Sequence, residues 1–154
     1  MDRLSISNFK KPAVLEDDDV LFFYGNFLGK TQSDIENRER IDVIAERYGI
    51  TIKFHKSVCK GLSRLNTENT IHIFQTSNQF NKCFIKHCRN AFAHLNVIME
   101  DGECQIFDWS AINDEGANRT KVKMRSVTMI GSFEYHSFKS LISEFFLDKS
   151  KIRR

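Results

Sequence analysis

FIKHCRNAFAHLNV, residues 84–97, sets four polar side chains inside an apolar segment, and its reading decides the fold. On an α-helix successive residues turn by about 100°. Phe80, Phe84, Cys88, Ala91, Phe92, Leu95, Ile98 and Met99 then fall within an arc of roughly 120°, the width of a core-facing stripe. His87, Asn90 and His94 gather on one flank with Cys83, and Arg89 lies on the other. Lys86, Ala93 and Val97 lie between the flanks, on the side away from the core. Arg89 and His94 diverge by roughly 140°, so one straight helix does not bring them together. Ala93 and Val97 stand where a solvated helix would carry charge, and small residues let two helices approach closely. The expectation is a two-fold contact at Ala93 and Val97 that sets both Arg89/His94 pairs side by side.

Working outward, a helical pattern runs from about Thr67 to about Met99, with a possible interruption at 76–78. Residues 51–65 are ambiguous, since TIKFH alternates like a strand while Phe54, Val58 and Leu62 recur every four residues. The reading taken is a helix ending near Leu65. Ser33 and Glu36 have capping-box spacing before Ile35, Ile41, Ile44, Ala45 and Tyr48, and Gly49 is a natural helix stop. In LEDDDVLFFYGNFL, residues 15–28, three acids precede an apolar run. They suit the first turn of a helix, although a buried strand fits the run as well.

Beyond Met99 the texture changes. Asp101-Gly102 signals a turn, CQIFDWS reads as a strand, NDEGANRT as a loop, and RTKVKMRSVTMI as a returning strand. Ser132 is placed to cap a final helix bearing Phe133, Phe138, Leu141, Ile142, Phe145 and Phe146. The expected fold is therefore mainly α: one domain over residues 1–154, with two strands before the C-terminal helix. Residues 1–12 read as a loose N-terminus and 149–154 as a basic tail.

Composition agrees with a single globular domain. The chain has 154 residues, 41% of them hydrophobic, and its fourteen Phe against one Trp point to a core of large flat side chains. One Pro and seven Gly leave long uninterrupted segments, which favours helix. No apolar run approaches the roughly 20 residues needed to cross a bilayer, and no membrane association is expected. Cys59, Cys83, Cys88 and Cys104 lack CxxC spacing, so reduced thiols in a cytoplasm are expected.

Arg89-Asn90-Ala-Phe-Ala-His94 resembles the R-x4–6-H signature of the HEPN superfamily, in which a polar residue commonly follows the arginine. The resemblance covers residues 80–146, and the IFDW strand and final helix look like plasmid- and phage-borne groups of that family. It implies a helical bundle with a short β-hairpin before the C-terminal helix, a homodimer, and metal-independent endoribonuclease activity in host defence or as a toxin, with an antitoxin or defence-system protein as partner. The alternative is an inert domain of the same type that binds RNA or protein. Asn96 stands where one toxin branch often carries Tyr. By resemblance, His94 would be general base or acid, Arg89 would hold the scissile phosphate, and Asn90 would orient the imidazole or bind the phosphate. Products would carry a 2′,3′-cyclic phosphate and a 5′-hydroxyl.

The chemistry suits the residue types: His titrates near neutrality and Arg offers a planar fork of donors. His87, Lys86, Lys121, Lys123 and Arg125 are candidates for RNA contact, the last three sharing one strand face with Arg119 in a chain of net charge +3. No cofactor and no metal are expected; Cys83, His87 and His94 share a stripe but have no second ligand cluster to complete a zinc site.

Overall fold

The stretch that reads as one long helix is divided in the computed structural model, which describes residues 17–28, 35–59, 65–111 and 125–147. It consists of a strand, β2 (Thr70–Ile73), a helix, α3 (Phe80–Ala93), and a second strand, β3 (Val97–Glu100). Every residue of β2 is buried. A strand covered on both faces does not alternate, so periodicity cannot separate it from a helix. The interruption read at 76–78 lies just before the true helix start.

The other end of α3 is closed by backbone geometry. Asn96 N–H bonds Ala91 O at 2.8 Å and Leu95 N–H bonds Phe92 O at 3.2 Å, with Leu95 at φ +58°. This is a Schellman motif, whose left-handed residue is usually glycine. The same device closes α2 (Ile41–Glu46), with Ile50 N–H on Ala45 O at 3.1 Å and Gly49 at φ +77°. Gly49 announces its stop and Leu95 does not. A left-handed conformation costs an L-residue roughly 1–2 kcal/mol. Leu95, half exposed, is therefore expected to stabilise the protein by about 1 kcal/mol when changed to Gly. A denaturation midpoint that fell or stayed put would contradict that geometry.

One strand precedes this region and two follow it. β1 (Thr51–Phe54) stands where a helix is expected, so the TIKFH alternation was the better cue. β4 (Glu103–Ala111) covers the expected CQIFDWS strand, and β5 (Arg125–Glu134) takes up the expected returning strand from Arg125 onward, its residues 119–124 lying outside those described; Asp101 and Gly102, at φ +51° and +80°, form the turn into β4. The sheet has the order β1-β2-β5-β4-β3, with β1 and β2 parallel and the other pairs antiparallel. The mainly α bundle is thus corrected to an α/β fold around a five-stranded mixed sheet. Ser132 does not cap the last helix; it lies in β5 opposite Thr70 and Gln105. That helix, α4 (Tyr135–Phe146), follows Glu134, whose carboxylate accepts from the Ser137 hydroxyl at 2.9 Å.

Helices cover one face of the sheet. Ile52, Ile71, Ile73, Cys104, Ile106, Met129 and Phe133 meet Phe84, Cys88 and Phe92 of α3 and Phe138, Leu141 and Ile142 of α4 in one buried cluster. α1 (Asp17–Phe23) opens with its three acids and runs into a π-helical turn, Tyr24–Leu28. It contributes Phe23, stacked on Phe92 with ring centres 3.6 Å apart, so the expected aromatic core is present. The second face carries a smaller cluster of Phe74, Phe107, Val127 and Ile130, with Cys59, Leu65 and Trp109 packed against it. No helix among the described residues is long and apolar enough to cross a membrane.

The helix read over 33–49 is broken into a 3-10 turn, Ile35–Asn37, and α2; Ser33 lies outside the described residues. Asn81 of α3, 1% exposed, holds the break. Its Oδ1 accepts from Ile41 N–H at 2.8 Å, and its Nδ2 donates towards Ile35 O, Arg38 O and Glu39 O at 3.0, 3.3 and 3.2 Å. Removing it orphans a buried backbone donor and at least one carbonyl, each worth about 1–3 kcal/mol. Asn81→Leu is therefore expected to lower unfolding free energy by about 3 kcal/mol in urea titration; a loss below about 1 kcal/mol would mean that water replaces the amide.

Candidate functional site

α3 lies over β4, and the flank bearing His87 and Asn90 faces Asp108. Asp108 is the one acid in the strand run CQIFDWS, and it is 4% exposed. A buried carboxylate needs hydrogen-bonding or charged partners. His87 Nδ1 lies 2.7 Å from Asp108 Oδ2, and the same oxygen accepts from Thr128 Oγ1 at 3.2 Å and, at the long distance of 3.4 Å, from Asn90 Nδ2.

Thr128 reaches this oxygen through an irregularity in the sheet. Asp108 pairs with Met129 while Trp109 pairs with Val127, so Thr128 is an extra residue on β5. Such a bulge re-aims a side chain, here the Thr128 hydroxyl, onto the helix-covered face. Phe74 N–H on Thr128 O at 2.8 Å ties the bulged residue to the end of β2.

The chemical content of the site is an oriented imidazole. The carboxylate accepts, so the proton sits on Nδ1 and the lone pair of Nε2 is left to act on a substrate. The side chains of His87 and Asp108 are 12% and 5% exposed. Low local polarity strengthens the interaction between them. The neighbouring Cys88 thiol is fully buried, and burial, reinforced by the Asp108 charge, raises its pKa well above the ordinary thiol range. It is a core residue, not a nucleophile. Among the described residues, no group of three or more His, Cys, Asp or Glu is arranged to hold a metal ion.

The other sequence-predicted residues are not brought into this cluster. His94 follows the last turn of α3 and is exposed, with its backbone N–H on Asn90 O at 3.0 Å. Arg89 is half-buried on the flank away from His87, about 200° around the helix. One chain therefore does not unite Arg89 with His94. Lys86 and Ala93 are exposed. Val97, expected beside Ala93 on an outward seam, is 1% exposed and faces the core from β3. The two-residue seam is corrected accordingly: the helix ends before it reaches Val97. Leu95, expected in the core, is 49% exposed for the same reason. Arg125 begins β5 opposite Ala111, while Lys121 and Lys123 lie outside the described residues.

Asp108 and Thr128 are absent from the sequence-based site. The signal for Asp108 was present, because an acid between Phe107 and Trp109 in an apolar strand must find a partner. Comparison of the chain with family models, with curated proteins and with solved structures found no match.

Proposed function

We propose that the chain is a metal-independent endoribonuclease in which His87 is the general base and Asp108 its positioning residue. The observation that carries the proposal is the 2.7 Å contact between His87 Nδ1 and Asp108 Oδ2, which commits Nε2 to one protonation role. RNA supplies its own nucleophile, so a site whose chemical content is an oriented base suits it. Nε2 takes the 2′-hydroxyl proton, the 2′-oxygen attacks phosphorus, and the 5′-oxygen leaves with a proton from His94. The products are a 2′,3′-cyclic phosphate and a 5′-hydroxyl.

His94 is assigned the acid role because it directly follows α3, seven residues beyond His87, and is exposed. Exposed Lys86 supplies positive charge beside the site, and β5 begins at Arg125, three residues before Thr128. A homodimer would bring a second Arg89 to the phosphate, and a toxin or defence role follows from RNA cleavage in a host cell.

The test is incubation of purified protein with end-labelled RNA in EDTA. Wild type is expected to cut and His87→Ala to fail, with His94→Ala impaired and Arg89→Ala impaired only if the active form is dimeric. Cleavage that survives His87→Ala would overturn the assignment. The buried state of both side chains also favours a second reading, a structural clasp in an inert RNA- or protein-binding domain. Absence of cleavage on every RNA would support that reading.

A further inference from the structure

The opposite face of the sheet carries a pair of imidazoles outside the site described above. His55 follows β1 and His72 lies in β2; His55 Nε2 is 3.0 Å from His72 Nδ1, and His72 Nε2 is 2.7 Å from Asn66 O. The His55 ring stacks on Phe74, with centroids 4.6 Å apart, in contact with the small cluster that Trp109 borders. A carbonyl only accepts, so His72 Nε2 bears the proton donated to Asn66 O. Neutral His72 then has an unprotonated Nδ1, and His55 must be the donor through Nε2–H. Both tautomers are thereby fixed by one carbonyl.

We infer that His55 and His72 form a proton-operated clasp that joins the end of β1 and the Asn66 turn to β2, survives one added proton and opens on the second. The first proton goes to His55 Nδ1, the one ring nitrogen of the pair outside these two hydrogen bonds, and leaves the Nε2–H to Nδ1 bond in place. The second must enter His72 Nδ1, which sets N–H against N–H and breaks the contact. Such a pair titrates in two coupled steps that belong to both rings.

The surroundings oppose both steps. Burial lowers the pKa of His55 and of His72 beneath the ordinary 6.5, Lys53 of β1 adds a like charge to each, and the Asn66 bond only partly offsets this at His72. Ile130 and Ser132 of β5, opposite His72 and Thr70, bring no titratable group; Lys56 and Glu68 on the flanking stretches are exposed. Because the unfolded rings bind protons more readily, the clasp contributes fully above about pH 6.5 and is lost as pH falls below it. The backbone of His55 stays anchored, with its N–H on Ile73 O at 2.8 Å and its carbonyl bonded by Thr76 N–H at 3.0 Å. Opening therefore releases the rings and uncovers the Phe74 cluster while β1 stays paired.

His55→Gln is the informative variant. Its amide donates to neutral His72 Nδ1 and, turned over, accepts from the protonated ring, so it holds the contact in both states. Long-range proton–nitrogen NMR reads the tautomers, and fluorescence of Trp109, the single tryptophan, reads the cluster through Phe107. In wild type, both rings are expected as Nε2–H tautomers at pH 7.5. Two coupled protonation steps should follow below pH 6.5, with a reversible red shift of Trp109 on the second and unchanged far-ultraviolet circular dichroism. In His55→Gln, one step and no red shift are expected. A red shift of equal size and midpoint in both proteins would overturn the clasp, because it would then belong to another group such as His87. A wild-type tautomer with Nδ1–H on His72 would overturn it as well.

Discussion

His87→Ala is expected to slow RNA cleavage by about 10²- to 10⁴-fold, the usual contribution of a positioned general base. Its neighbour sharpens the role assignment, because three donors converge on one Asp108 oxygen. In Asp108→Asn, those donors select the amide oxygen for that position and the amide nitrogen is turned away. His87 therefore keeps its proton on Nδ1 and its orientation, and loses only the charge that stabilises the imidazolium. Exchanging a charged acceptor for a neutral one removes about 1 kcal/mol, a fivefold to tenfold loss of rate. Asp108→Ala is different in kind. It strands the His87, Thr128 and Asn90 donors in a buried site at about 1–3 kcal/mol each, so stability should fall together with activity.

The graded series distinguishes readings that a single knockout would merge. Single-turnover rates in EDTA, measured beside urea denaturation of the same preparations, give both quantities. An Asp108→Asn protein as inactive as His87→Ala, with an undiminished denaturation midpoint, would mean that the carboxylate itself carries the proton. A His87→Ala protein as active as wild type would remove the dyad from the chemistry. An Asp108→Ala protein that keeps its stability would show that the three donors find other partners.

The sequence was most legible where local chemistry acts alone. Gly49 closes α2 as read, because only glycine adopts its conformation without strain, and Asp101-Gly102 turns the β3–β4 hairpin for a related reason. It was least legible where tertiary contacts override propensity. Residues 70–73 are buried on both faces and show no alternation, so β2 merged with the helix behind it. The helix then ran past its end because Leu95 holds a left-handed position that glycine normally marks. That one hidden stop produced both the extended core stripe and the seam at Val97.

The surroundings of the candidate site were hidden for the same reason. His87 and Asn90 are one turn apart and were visible as a flank. Asp108 is eighteen positions beyond Asn90, and Thr128 owes its direction to a bulge that no local pattern declares. The fold contributes half of this constellation from β4 and β5, so a motif confined to α3 held only part of it.

Gly131→Ala is expected to be among the most damaging single changes in the chain, although glycine in mid-strand ordinarily weakens a sheet. A Cβ at this position would lie 2.8 Å from Thr70 O, 2.8 Å from Ile71 Cγ1 and 2.9 Å from Ile71 Cα. Two of those atoms are backbone in the neighbouring strand β2 and cannot turn aside. Gly131 pairs with Ile71 on one side and Ile106 on the other, so relief means displacing β5 from β2 or from β4. Overpacking commonly costs about 1–3 kcal/mol, and this site belongs at the upper end because the obstruction is main chain. Gly131→Val should leave little folded protein. The displacement also reaches the dyad, because Thr128 is three residues along β5 and its carbonyl fixes Phe74 on β2. An unfolding free energy for Gly131→Ala within about 0.5 kcal/mol of wild type would show that the β2–β5 approach is looser than described. Set beside Leu95→Gly, the pair predicts opposite signs for exchanges between glycine and a larger residue. Stability is gained where the backbone needs freedom and lost where neighbouring strands leave no room for a single carbon.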